Sequence, residues 1–231
     1  MSLAEIPQAG ATFQLPTSFS LLAHFTFGMT GAMAALRRGY DIIGVVFLAV
    51  VTAGGGGLIR DGLLISSGPP VILTNQDLLL AVLAAALVTR FLYRHVARLR
   101  RAVAVVDALG LGAFAVIGVQ VSLSAGLSIP GAILGGMVTA VGGGLLRDIM
   151  VREEPLLFKP GQFYALAAMA GCGLYVALIH SPWAPPERAA LITIAVVFAV
   201  RMLAIRYNWQ TRALYREPTS PPPPPEGTRS S

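Results

Sequence analysis

Two arginine–aspartate pairs are the residues of this chain with the clearest chemistry. Each follows a glycine run at the end of a long apolar stretch, as Gly54-Gly55-Gly56-Gly57-Leu58-Ile59-Arg60-Asp61 and as Gly142-Gly143-Gly144-Leu145-Leu146-Arg147-Asp148. The signatures are 87 residues apart, counted from Gly57 to Gly144. A guanidinium and a carboxylate inside an apolar segment are costly in lipid, so they face a polar path or the interior of a bundle. Adjacent glycines adopt non-helical angles freely and let another backbone approach closely. A helix break is therefore expected at each run. The carbonyls of Gly55, Gly56 and Gly57, and of Gly142, Gly143 and Gly144, would lose their partners there and replace part of the water around a potassium or sodium ion. Asp61 and Asp148 would fall in the first turn of the resuming helix, where the dipole favours a carboxylate, which gives them a structural role as well.

Arg60 and Arg147 become charge gates, since a fixed positive group repels a permeating cation until it moves or is neutralised. Neighbouring helical residues point about 100° apart, so one member of each pair is expected to look away from the other. Thr52 and Thr139 precede the glycines at matching positions. Their hydroxyls either line the path or bond their own helix backbone.

The elements that carry these groups are membrane spans. The 231 residues are 55% hydrophobic and 12% charged, with a mean hydropathy of +0.70, too apolar for a soluble domain. Windows of about 20 apolar residues predict seven spans, at 19–36, 41–67, 76–93, 104–125, 129–150, 161–180 and 188–207. Ser66-Ser67-Gly68-Pro69-Pro70 stops the second, and Pro182, Pro185 and Pro186 separate the sixth from the seventh. Met1 to Ser18 lack the basic region of a cleaved secretory signal, so the first span is expected to be retained. The tail 208–231, with Pro221 to Pro225 in a row, is expected to be disordered or polyproline-like.

The net charge of +6 reflects topology and not nucleic-acid binding. Arg37-Arg38, then Arg94, Arg98, Arg100 and Arg101, then Arg152 and Lys159, and finally Arg206, Arg212 and Arg216 follow the odd-numbered spans. The loops 68–75 and 126–128 and most of 181–187 carry no Lys or Arg. Basic loops stay in the cytoplasm, so the N-terminus is expected outside and the C-terminus inside.

The repeat extends beyond the glycines. At the same offset Leu22 matches Leu109, Phe27 Phe114, Gly31 Gly118, Gly39 Gly126, Gly44 Gly131 and Thr52 Thr139. The chain is thus expected to be all-α, with three-helix repeats at 19–93 and 104–180 and an unpaired seventh helix at 188–207. An odd number of helices per repeat inverts the second copy about an axis in the membrane plane. From Asp41 to Gly57 a helix travels roughly 24 Å. The first break is then expected toward the outside and the second toward the cytoplasm, with Arg60 and Arg147 at opposite ends of one path and no direct Arg60–Asp148 pair.

Other polar residues read as structural first. His24 is a satisfied interior histidine before it is a pore group. Gln120, Ser122 and Ser124 suit helix packing or a wet cavity. Arg90 and Arg201 lie near cytoplasmic ends and are expected to snorkel. Trp183, Trp209 and Tyr207 sit where an aromatic belt is expected. Cys172 is a small packing residue. The sole lysine, Lys159, lies beside Pro160 in a loop, which excludes a mid-helix Schiff base to retinal. No metal-ligand spacing and no phosphate-cradling run occurs, so neither an enzyme nor a cofactor is expected.

The paired signatures Gly55 to Asp61 and Gly142 to Asp148, on inverted three-helix repeats with a seventh helix, resemble the prokaryotic trimeric intracellular cation channel family. Its repeat is also known as a glycine-transporter-type domain. The resemblance covers roughly residues 20 to 207. It implies a bacterial inner-membrane homotrimer among lipids, each subunit conducting potassium and other monovalent cations between kinked second and fifth helices. A Lys-Glu-Val stretch of the animal members is absent, so their voltage and lipid regulation does not transfer. The leading function is a passive cation channel. The alternative is a carrier for glycine or another small amino acid, since inverted halves also suit alternating access and a helix N-terminus beside an arginine holds a carboxylate.

Overall fold

Apolar stretches punctuated by Pro and Gly give helices at nearly the expected boundaries. The computed structural model describes residues 16–65, 69–96, 100–158, 163–182, 184–207 and 209. The elements are α1 (Thr17–Arg37), α2 (Ile42–Ile59) continued by a π-helical segment (Arg60–Ile65), the short α3 (Val71–Thr74), α4 (Gln76–Val96), α5 (Arg100–Ser124), α6 (Ile129–Met150), α7 (Tyr164–Ile179) and α8 (Pro186–Arg206). Six of these are long and apolar enough to cross a membrane, and α7 is a shorter apolar helix of 16 residues. Among the described residues the fold is all-helical. Trp183, Lys159 and the tail other than Trp209 lie outside them, as do the side chains of Arg94, Arg98, Arg100 and Arg101.

Local chemistry sets the helix ends. The Asp41 carboxylate accepts from the Gly44 amide at 2.8 Å and caps α2. Asn75 does the same for α4, accepting from the amides of Asp77 and Leu78 at 3.0 and 3.2 Å. At the C-termini of α1 and α5, Gly39 and Gly126 take φ of +73° and +82°. Each permits the following amide to reach back, Tyr40 to the Ala35 carbonyl and Leu127 to the Ser122 carbonyl. These glycines are partners at the 87-residue offset, so the sequence match corresponds to a shared backbone device.

The core is built on the crossing of α2 and α6. α1 packs on α2, α4 and α5, while α8 closes the bundle against α5 and α7. At one end Arg38 pairs with Glu153 at 3.0 Å, so the loops after α1 and α6 meet there. Thr17 and Ser20 of α1, Pro70, Val71, Ile72 and Asn75, and Ser124 of α5 surround one cavity at the other end. The loops after α1 and α6 thus lie at one end of the bundle, and the segment around α3 and the C-terminus of α5 at the other.

Candidate functional site

The glycine runs do not break their helices. α2 is helical through Gly54 to Gly57, and the Arg60 amide donates to the carbonyls of Gly56 and Gly57. α6 runs without interruption from Ile129 to Met150 through Gly142 to Gly144. The expected carbonyl ligands are thus committed to helical bonds, because an unsatisfied backbone group in an apolar interior costs several kcal/mol. What irregularity exists comes later, where α2 widens into the π-helical turns Arg60–Ile65.

The glycines instead bring two backbones into contact. A methyl group on Gly56 would collide with the Thr139 carbonyl, and one on Gly143 with the Thr52 carbonyl. Gly55 faces Gly143 and Leu146, while Gly142 faces Gly56 and Ile59. Every one of these contacts is the 87-residue counterpart of another. Since residue 56 meets 139 and residue 52 meets 143, α2 and α6 run antiparallel.

Gly57 and Gly144 lie outside this tight contact. Gly57 looks onto Arg60 Nη2 at 3.8 Å, and Gly144 onto the Tyr164 hydroxyl at 3.6 Å and Arg147 Nη2 at 3.9 Å. The two threonines bond their own helices, Thr52 to the Leu48 carbonyl and Thr139 to the Gly135 carbonyl, both at 2.6 Å. Thr139 also accepts from Arg60 Nη1 at 3.2 Å and borders the cavity.

Each arginine pairs with its own neighbour, against the expectation that one would look away. Arg60 places Nε and Nη2 on Asp61 Oδ1, both at 2.7 Å. Arg147 repeats the arrangement on Asp148 Oδ1 at 2.9 and 2.7 Å. A 100° offset fixes only the Cα–Cβ direction. The long arginine side chain folds back across it, on a π-helical backbone in one case and an α-helical backbone in the other, so the pairing does not depend on the wide turn. Arg60 is 3% exposed, and the side chain of Arg147 is 14% exposed.

The surroundings of the two pairs differ. Arg60 and Asp61 border a cavity of about 410 Å³ together with Gly57, Thr139, His24 and Gln120. His24 meets the Ser20 carbonyl at 2.8 Å and Phe114 edge-on, so it is both satisfied and cavity-lining. Gln120 donates to the Tyr175 hydroxyl at 2.7 Å. At the other end Asp148 also accepts from the Leu156 amide at 3.2 Å, which anchors the loop after α6. Around Arg147 stand Asp107 of α5 and Tyr164 of α7, and Arg201 of α8 lies with its guanidinium 4.8 Å over the Tyr164 ring.

Arg201 is a correction: it is 3% exposed and turned into the bundle, not snorkelling. The face of the Tyr164 ring, 4.8 Å from its guanidinium, receives it there. Arg90, in contrast, is exposed. Asp107 and Tyr164 had no role assigned from the sequence. A carboxylate near the start of the fourth apolar span was the available signal, since an ionisable residue in a membrane span is functional by default.

Known proteins are similar to this chain in sequence and in fold. Residues 17–94 and 104–180 each match the model of a family described as glycine transporter. The UPF0126 inner membrane protein YadS of Escherichia coli K12 is 32% identical over 183 residues, which cover 79% of this chain and 87% of that protein. Among solved structures, the trimeric intracellular cation (TRIC) channel orthologue from Rhodobacter sphaeroides aligns with a TM-score of 0.75 at 34% identity. That alignment covers 83% of this chain and 97% of the other. The chain belongs to the TRIC family. A second TRIC structure, from work on conductance through these cation channels, aligns with a TM-score of 0.80 at 30% identity over 89% of this chain and the whole of the other. In this TRIC protein both Arg–Asp pairs fall within the matched segments, whereas Arg201 lies beyond them on α8.

Proposed function

We propose that the chain is a channel for monovalent cations, potassium foremost, with one path inside each subunit of a homotrimer in the bacterial cytoplasmic membrane. The path runs along α2 and α6, past Arg60 and Asp61 at the outer end and Arg147 and Asp148 at the inner end. Two buried charge pairs on opposite sides of one glycine crossing, the first opening on a polar cavity, carry this reading. At about 4 Å and an effective dielectric of about 20, a bare guanidinium repels a cation by about 4 kcal/mol. The neighbouring carboxylate removes most of that barrier, and displacing it restores the barrier. Gly55 and Gly56 against Gly142 and Gly143, with Thr52 and Thr139 beside them, form the constriction, closed in this conformation because backbone meets backbone.

The reciprocal, antiparallel contacts support a two-fold axis in the membrane plane relating 19–93 to 104–180, with the helix at 188–207 added. On this reading the N-terminus is outside and the C-terminal tail in the cytoplasm, as the distribution of arginines between loops supports. Solved relatives that are cation channels favour conduction over glycine carriage and over catalysis. Purified protein in planar bilayers should give unitary currents whose reversal potential follows the potassium gradient. Folded protein that stays silent, or saturable glycine counterflow without unitary current, would overturn the proposal.

A further inference from the structure

Gly57 and Gly144 are partners at the 87-residue offset, yet what stands in front of them differs. Gly57 is half-buried and borders the cavity, and the side chains nearest to it are those of Arg60 and Asp61. Gly144 is buried. The Tyr164 hydroxyl stands 3.6 Å from the position its β-carbon would take, beside Arg147 Nη2 at 3.9 Å. The residue that corresponds to Tyr164 in the first half is Asp77, which is exposed. The ring at the inner end therefore has no counterpart at the outer end.

Tyr164 is held by the helix that the repeat lacks. The Arg201 guanidinium of α8 lies 4.8 Å over its ring, and the two residues are 3% and 5% exposed. A cation over an aromatic face is held most firmly where water is excluded. One turn before Arg201, Val197 closes on α7 so tightly that a methyl group on Gly171 would strike it. Immediately before Tyr164, Phe163 takes a φ of +48°, a left-handed angle that persists in a residue with a β-carbon only when its neighbours impose it. Its ring meets Trp209 edge-on at 5.7 Å, beyond the end of α8. Arg201 and Trp209 thus fix the start of α7 at two successive residues.

We infer that Tyr164 is a plug that shuts the inner end of the path at Gly144, with Arg201 of α8 as the positioning residue that keeps the ring in place. This rests on the conduction proposed above and names what separates the path from the cytoplasm. Water reaches Gly57 from the outside, while the ring denies it Gly144 from the inside. Swinging the ring away from Gly144 admits water and the hydrated ion to Arg147 and Asp148.

The test is the rate at which a charged, membrane-impermeant thiosulfonate modifies an introduced thiol in the full-length protein, in vesicles of known orientation. Cys172 is buried, and the unsubstituted chain gives the background. Gly57→Cys should react from the outer face, and Gly144→Cys only slowly from the inner face. Adding Tyr164→Ala should raise the Gly144→Cys rate about tenfold or more, as when an open state populated at about 10% or less becomes the main one. The Gly57→Cys rate should not change. Tyr164→Phe keeps the ring and should keep the slow rate, whereas Arg201→Gln should raise it. Gly144→Cys as reactive as Gly57→Cys with Tyr164 in place, no response to Tyr164→Ala, or equal acceleration of both thiols would overturn the inference. If Tyr164→Ala does not fold, Arg201→Gln decides, and an unchanged Gly144→Cys rate would overturn it. Labelling needs no current, so silent bilayers would count against conduction separately.

Discussion

The glycine crossing makes a quantitative prediction with a control built into each run. In Gly56→Ala the new methyl meets the Thr139 carbonyl, and in Gly143→Ala it meets the Thr52 carbonyl. Both obstacles are backbone, which cannot rotate aside, so α2 and α6 must separate. Overpacking of this kind costs about 1–3 kcal/mol, offset by the roughly 0.5–1 kcal/mol that alanine gains over glycine inside a helix. A net loss of about 1–2 kcal/mol is expected at either position, and for a chain of this size each kcal/mol lowers Tm by about 2–4 °C. Gly57→Ala and Gly144→Ala meet only atoms at ordinary contact distance, 3.8 and 3.6 Å away. They gain helix propensity without the clash and should be neutral or slightly stabilising. The double variant at 56 and 143 should cost less than the sum of the singles, since one separation relieves both collisions. Thermal unfolding in detergent, followed by tryptophan fluorescence or aggregation, measures all five. Gly56→Ala as stable as Gly57→Ala would refute the close crossing, and strict additivity would refute the shared separation.

Two other outcomes follow from the contacts. Arg60→Gln strands the buried Asp61 carboxylate and should destabilise by about 3–5 kcal/mol, whereas adding Asp61→Asn should recover much of that loss, as checked by the same unfolding assay. Asn75→Ala removes the cap of α4 and should cost about 1 kcal/mol; because Asn75 also borders the cavity, an unchanged Tm would show that the two amide bonds contribute nothing.

The helices were legible because apolar runs broken by Pro and Gly leave little choice of boundary. Thus 129–150 matches Ile129–Met150, and the second span, expected to end at 67, is helical to Ile65, with 66–68 outside the described residues. The glycines were legible as special but not in their use. A missing Cβ permits either a bend or a close neighbour, and only the partner helix decides between them. At 56 and 143 the partner is present, so the helical bonds survive. The Arg–Asp pairs were found by type and spacing, while their mutual contact was missed because backbone direction was taken for side-chain reach. Arg201 was misread for a related reason: nearness to a helix end says how far water is, not that the Tyr164 ring waits on another element.

The crossing of α2 and α6 holds both glycine runs to one requirement. Each helix presents to its partner the same surface that it receives, and what a side chain at 56 or 143 would strike is the opposite backbone, at 139 or 52, which no exchange of side chain there removes. The absence of a side chain in one half is thus answered only by its absence in the other.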